Sequence, residues 1–517
     1  MVRIANAVRP RLARAVTAAG PRIARLAKAV RPRSSHLPRP RTVRTWQYTA
    51  GAATAGLALA AGVVTVAGPW DANGQRTAEG DRAAALERSG GADHGRPGTE
   101  AGARPAPSAP PVLTGLGGVT SAVGPRKGAG GGQALPDVLA PFLDASALGD
   151  GHAAAVVDLT TGERLYGTGA GQALTPASTT KIATAVAALS ALGADHRLTT
   201  RAALEPDTGE VVLVGGGDPT LTARKGADGW ASLRTLAAGT VKALRARDVH
   251  EVTLSYDTTL YAGTAQHPIG VNENIAPVTA LTADEGRTDG SAKGPAVRVD
   301  DPARDAAAKF AALLEDAGVK TTAPGPSKAT TRAETLATVS SPPLSALVER
   351  MLTNSDNDIA EALARQTALA SGEPATFEGG ARAIATQLRK LGLPLSGASF
   401  HDGSGLDRDD RLTADLLTAL LVKAADPGHP GLRPVLTGLP VAGFTGTLTD
   451  RYTDGAAGVV RAKTGTLTGV NTLAGTVVDT DGHLLAFAFL ASGTTDAQQA
   501  QSTLDDAATA LAACGCD

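Results

Sequence analysis

The stretch TPASTTKIATAVAAL, residues 175–189, decides how the rest of this chain is read. Just after Pro176 it sets Ser178 and Lys181 three positions apart, directly before an apolar run. On a helix, positions i and i+3 share a face, so the hydroxyl and the amine can meet. Free backbone N–H groups and the dipole at a helix N-terminus favour negative charge there. That suits the oxyanion formed when a serine attacks a carbonyl. The lysine can take the serine's proton only when neutral. Its ordinary pKa of about 10.4 must then fall to near 7, a cost of ~4 kcal/mol. Burial and a second cation nearby produce such a shift. Taken alone, Ser-x-x-Lys also spells an N-capped helix with a surface lysine.

Two further motifs follow in order. Ser355-Asp356-Asn357 lies in the polar break of MLTNSDNDIAEAL, between two helical patterns. It offers a hydroxyl that relays a proton and an amide that holds a substrate carbonyl; its bland reading is an N-cap. Lys463-Thr464-Gly465-Thr466 stands on a strand pattern. There Gly465 permits close approach of a backbone or substrate, Lys463 is the second cation, and Thr466 offers a hydroxyl to a carboxylate. Each match is common singly. In this order, each on the element its chemistry needs, they form the Ser-x-x-Lys, Ser-Asp-Asn, Lys-Thr-Gly set of acyl-transferring serine enzymes.

The 517 residues carry a formal net charge of −1, which implies no nucleic-acid partner for the chain as a whole. The charge is uneven. Residues 1–44 are rich in arginine and contain no acidic residue, and residues 45–70 contain no charge. A basic flank before an uncharged run of about one bilayer crossing reads as a signal-anchor or signal peptide, with the remainder exported. Residues 71–133 are Pro-, Gly- and Ser-rich and read as a disordered linker. The expected catalytic domain comprises 134–200 and 336–517, interrupted by inserted domain material over 201–335. Strand patterns occur at 153–167 and 459–493, with helical patterns between them. They predict an α+β domain in which the opening and closing strands share one antiparallel sheet flanked by helices. Cys514 and Cys516 would close a very small ring if bridged; pairing between chains and free thiols stay open. No His-Glu-x-x-His occurs, and neither a metal nor an organic cofactor is expected. Another serine, Ser404 in HDGSGLDR (401–408), lacks the Gly-x-Ser-x-Gly spacing of a nucleophile elbow and reads as a turn lining the cleft.

Over roughly residues 135–513 the chain resembles the serine D-Ala-D-Ala carboxypeptidases/endopeptidases, the class C low-molecular-mass penicillin-binding proteins. VGGGDPTL (214–221), DGSGLDRDDRLT (402–413) and GTLTDRY (446–452) extend the likeness, as do the about 170 residues between Lys181 and Ser355. The resemblance implies a penicillin-binding transpeptidase-like fold, related to the serine β-lactamases, with inserted smaller domains. It implies Ser178 as nucleophile, Lys181 as its base, and Ser355 with Lys463 as the proton relay to the leaving amine. It also implies Asn357, Thr464, Gly465 and Thr466 as substrate-binding positions, peptidoglycan stem peptides as substrates, and β-lactams as covalent inhibitors. Rival readings are a β-lactamase and a non-catalytic penicillin-sensing or wall-binding protein. The sequence leaves the oligomeric state open.

Overall fold

The computed structural model describes residues 134–515 except 228, 453 and 454. The basic segment, the uncharged run, the linker and Cys516 therefore lie outside the described residues. Cys514 is disulfide-bonded, which removes the free-thiol alternative for it.

The last three strands, β10 (Arg461–Leu467), β11 (Val470–Val478) and β12 (Leu484–Ser492), form a meander, because tight turns at Gly469 and Gly482 separate runs of β-branched and apolar residues. The opening hairpin, β1 (Gly151–Asp158) and β2 (Arg164–Thr168), joins that meander. The sheet order is β10-β11-β12-β1-β2, antiparallel throughout, with Gly151 opposite Ser492. Both faces are covered, and the side-chain period of two sorts the residues between them. Ala154, Val156, Phe487 and Phe489 face α1 (Leu135–Leu143) and the C-terminal helix Ala497–Ala513. Ala153, Ala155, Ala486 and Ala488 face the helical core on the other side.

At the centre of that core is α2 (Thr180–Leu192), buried on every side from Thr180 to Leu189. A helix apolar all round belongs in such a place, and its alanines supply both propensity and close packing. Ser178 lies just before it. The sequence reading placed Ser178 on the helix. The structure puts it in a 3₁₀ turn, Ala177–Thr179, with the α-helix starting at Thr180. Ala177 has φ +49° and the Thr179 hydroxyl donates back to the Pro176 carbonyl, which tightens the entry.

After β3 (Thr199–Leu204) and β4 (Val211–Val214) come α3 (Leu233–Arg245), β5 (Glu251–Val252), β6 (Leu254–Asp257), α4 (Pro302–Asp316), β7 (Lys320–Thr321), β8 (Gly325–Pro326) and β9 (Glu334–Ser340). Five of these strands build a second sheet, ordered β8-β6-β4-β3-β9, which is mixed because β4, β6 and β8 run parallel, while β5 and β7 pair with each other. Its helices α3 and α4 bury their apolar faces against it. Thr199 pairs with Ser340, so the chain leaves and re-enters the part built on the first sheet side by side. These strands begin and end a few residues outside the 201–335 segment. Residues 258–300 are largely irregular and are fastened through Tyr261, Ile275 and Val278 to Phe377. The buried Arg365 donates to the carbonyls of Ala262, Thr264 and Ala375.

Three more helices pack in the core around α2: α5 (Leu344–Asn354), α6 (Asn357–Ala370) and α7 (Phe377–Lys390). They are followed by α8 (Ala414–Ala425), the short α9 (Pro434–Thr437) and α10 (Ala497–Ala513).

The junction between the two parts depends on glycine. A Cβ on Gly216 would lie 1.9 Å from the Thr199 carbonyl oxygen. Gly216→Ala is therefore expected to destabilise the protein by about 1–3 kcal/mol and to lower the thermal midpoint by several degrees. Gly226→Ala, where a Cβ meets nothing within 4 Å, should leave it in place.

Candidate active site

Lys181 is wholly buried in the first turn of α2, yet its amine has partners on three sides. Nζ lies 3.0 Å from Ser178 Oγ, 2.6 Å from Asn357 Oδ1 and 2.7 Å from the Ser404 carbonyl oxygen. The last two can only accept. A neutral amine has two N–H donors and one lone pair. It can therefore satisfy both acceptors and still point its lone pair at the Ser178 hydroxyl. Burial pushes the Lys181 amine down to about 8, against the opposing pull of Asp402, Glu361, Asp356 and Asp410.

Ser355 and Asn357 reach the site from one corner. Helix α5 ends at Ser355 in the left-handed conformation, φ +58°, and the Asp356 carboxylate caps α6 by accepting from Ile359 N at 3.0 Å. A non-glycine residue held there stores of order 1 kcal/mol or more of strain. The corner thus performs its bland capping role and also turns Ser355 and Asn357 into the cleft. Asn357 Nδ2 donates to the Asn274 carbonyl at 2.9 Å, leaving its second N–H for another acceptor.

The third motif lies on β10, the edge strand. Lys463 Nζ donates to Ser355 Oγ at 2.9 Å and to the Thr464 carbonyl at 2.7 Å. Burial, then the neighbouring charges of Lys181 and Arg451, push its amine well below the ordinary lysine range. The Ala462 N–H donates away from β11, to the Pro440 carbonyl at 3.0 Å. By strand alternation the N–H groups of Thr464 and Thr466 point to the same open edge. Gly465 lets this edge close on the Ser178 turn. A Cβ there would lie 2.1 Å from Thr472 Oγ1 and 2.7 Å from the Pro176 carbonyl oxygen. Thr464 Oγ1 lies 3.0 Å from Thr447 Oγ1.

Ser178, Ser355, Asn357, Thr464 and Thr466 all line one cleft of about 340 Å³. Lys181 and Lys463 lie behind it, and Gly465 forms the close contact beneath. Thr447 of the GTLTDRY segment also lines it, as do Asn274, Lys293 and Arg298, which sequence reading did not single out. They come from irregular segments where no periodicity marks them. Ser404 is fully buried and contributes its carbonyl to Lys181. Its hydroxyl donates to Asp402 Oδ2 at 3.1 Å, and no histidine is among its partners. Glycine density was the signal in that segment: a Cβ on Gly405 would lie 1.9 Å from the Ala177 carbonyl oxygen.

Two groups of side chains bring ligand-type atoms within 4.8 Å of one another among the described residues: His267, Glu361 and Asp402, and Glu285, Asp356 and Asp358. In the first group Glu361 keeps one unpartnered oxygen, Oε2, while the aspartates of both groups are already engaged. Asp402 accepts from Gly405 N, Asp407 N and His267 Nε2, while Asp358 accepts from Ala276 N and Arg298.

The sequence matches the D-Ala-D-Ala carboxypeptidase 3 (S13) family over residues 136–294 and 287–513. It is 39% identical over 375 residues to carboxypeptidase DacB of Mycolicibacterium smegmatis, covering 70% of this chain and 80% of that one. It is 36% identical over 436 residues to a carboxypeptidase of Mycobacterium tuberculosis, covering 81% and 92%. Among solved structures, penicillin binding protein 4 of Haemophilus influenzae shares the fold with a TM-score of 0.58 at 20% identity, over 72% of this chain and 97% of that one. With a family match across nearly all the described residues and relatives of this identity along most of their length, the chain belongs to the D-Ala-D-Ala carboxypeptidase 3 (S13) family, the serine DD-peptidases.

Proposed function

We propose that this DD-peptidase works by acyl transfer through Ser178 and that its substrate is the D-Ala-D-Ala end of a peptidoglycan stem peptide. One observation carries the assignment of roles: two lysine–serine pairs, Lys181 with Ser178 at 3.0 Å and Lys463 with Ser355 at 2.9 Å, converge on a single cleft. Neutral Lys181 takes the Ser178 proton as Oγ attacks the carbonyl carbon of the penultimate D-alanine. The N–H of Thr466 at the open edge and that of Ser178 in its 3₁₀ turn face the oxyanion. When the tetrahedral intermediate collapses, the C–N bond breaks and the leaving amine takes the Ser355 hydroxyl proton; Ser355 is reprotonated through Lys463, and the proton that Lys181 took from Ser178 makes good the loss, leaving Lys181 neutral. Water then attacks the acyl-enzyme carbonyl carbon and gives a proton to Lys181, which passes it to Ser178 Oγ as the ester C–O bond breaks.

The remaining positions bind. Lys463 and the Thr464 and Thr466 hydroxyls receive the terminal carboxylate, across a strand that Gly465 allows to approach. Asn357 offers its free N–H to a substrate carbonyl. A β-lactam places its own carbonyl and carboxylate on the same groups and acylates Ser178. Cleavage of D-Ala–diamino acid cross-links uses the same chemistry on a larger leaving group. The basic 1–44 and uncharged 45–70 segments support export of the catalytic part, held at the membrane or released after cleavage.

Wild-type protein is expected to release D-alanine from a pentapeptide and to form a long-lived adduct with fluorescent penicillin. Ser178→Ala should abolish both, and persistent labelling in that variant would move the nucleophile elsewhere. Rapid loss of label from the wild type would instead mark a β-lactamase, and absence of both signals a binding protein.

The two amines are close enough to titrate as a pair. Attack needs the state in which Lys181 is neutral. The acylation rate should therefore rise with pH through about 8 and fall away below it. A stopped-flow profile that is flat from pH 6 to 9 would contradict a lysine base.

A further inference from the structure

Lys181 rests on a carbonyl whose position is set by a carboxylate that the reaction does not use. The Ser404 carbonyl accepts from Lys181 Nζ at 2.7 Å. On the other side of that turn, Gly403 N and Ser404 N both donate to Glu361 Oε1, at 3.0 and 2.7 Å. Glu361 stands one helical turn after Asn357 on α6, and Asn357 touches Lys181 directly. Positions i and i+4 share a face, so one stripe of α6 holds the lysine from two directions. A Cβ on Gly403 would lie 2.8 Å from the Ala360 carbonyl oxygen, and this close contact presses the turn onto the helix.

Glu361 is wholly buried, and its second oxygen, Oε2, has no hydrogen-bond partner. An unpaired carboxylate oxygen in a dry interior is costly, so packing alone would favour an apolar side chain here. The other charged groups facing Lys181 all have work of their own. Asp356 caps α6, and Asp402 closes its own turn and accepts from His267 Nε2 at 3.1 Å. Asp410 accepts from the Thr180 hydroxyl and His401 N. Lys463 donates to Ser355, and Arg365 lies on α6 beyond Glu361. Glu361 alone leaves an oxygen free behind the turn whose Ser404 carbonyl accepts from Lys181.

We infer that Glu361 is a positioning residue for acylation: it holds the Ser404 carbonyl against Lys181 and places a negative charge behind it. This rests on Ser178 being the nucleophile and Lys181 its base. The charge and the hold act differently on the lysine. The hold aims the amine at Ser178. The charge favours its protonated form, so together with Asp402 it limits how far burial lowers Lys181. Burial, and then Asp402, push the Glu361 carboxyl itself up to about 7, below the about 8 of Lys181, so its charge builds up ahead of the loss of the lysine's proton as pH rises.

Two variants separate these effects, read as the rate of Ser178 acylation by fluorescent penicillin from pH 5.5 to 10. Glu361→Gln keeps an oxygen for the two N–H groups and removes the charge. Its acid limb should move to lower pH by about half to one unit, with labelling and thermal midpoint kept. Glu361→Asp keeps the charge and shortens the reach. Its acid limb should stay in place or rise, with acylation at least about tenfold slower. An unmoved or raised limb in Glu361→Gln overturns the inference, as does a lowered limb in Glu361→Asp. Should Glu361→Gln fail to fold, the aspartate variant decides alone. No labelling of the wild type would instead sink the Ser178 reading itself.

Discussion

The structure turns on the burial of two amines in one cleft. Lys181 and Lys463 are both fully shielded from solvent. An isolated ammonium ion would pay heavily for that position, and two would repel each other as well. The cleft meets the problem with fixed acceptors for the N–H groups and with carboxylates one layer further out. Asn357, Ser404 and Thr464 supply the acceptors. Asp402, Glu361, Asp356 and Asp410 surround Lys181. Burial drives the amines toward neutrality and the carboxylates oppose it. Lys181 is left with a pKa of about 8 rather than locked in one charge state.

That balance requires backbones to come unusually close, and glycine makes the approach possible. Gly465 brings the edge strand against Pro176, Gly405 brings the 402–410 turn against Ala177, and Gly403 brings it against Ala360. The first two contacts are made with the residues just before Ser178, and the third seats on α6 the turn whose Ser404 carbonyl accepts from Lys181. They explain why the strand, the turn and the helix entry behave as one unit although they lie far apart in the chain. The alanine-rich face of the main sheet serves the same end by letting α2 sit deep in the core.

The second sheet also reaches the chemistry. Residues 258–300 leave it and return to the cleft, where the Asn274 carbonyl accepts from Asn357. Asp358, the residue after Asn357, accepts from Ala276 N at 2.9 Å and from Arg298 at 2.8 Å. One end of α6 is therefore held by the excursion while its other contacts hold Lys181. The excursion is part of the wall that fixes Asn357, which gives a structural reason for its tight fastening by Arg365 and Phe377.

The sequence by itself determined the elements and the chemical cast. Period-two alternation marked the meander and the opening hairpin. The helical patterns between those strand regions correspond to helices that include α4, α5, α6 and α7. Motif order singled out Ser178, Lys181, Ser355, Asn357 and Lys463, which the fold brings to one cleft. These were legible because local spacing and residue type carry them. The mixed second sheet was not, since its parallel pairs join segments separated by long irregular stretches. Nor was the 3₁₀ entry at Ser178, which depends on contacts made by Pro176 and Ala177. Asn274, Arg298, the Ser404 carbonyl and Glu361 were decided only by tertiary structure. A backbone carbonyl has no sequence signature, and a glutamate on a helix looks solvated until the turn that covers it is in place. Charge state belongs to the same class, because it is set by what surrounds an amine in space and not by its neighbours in the chain.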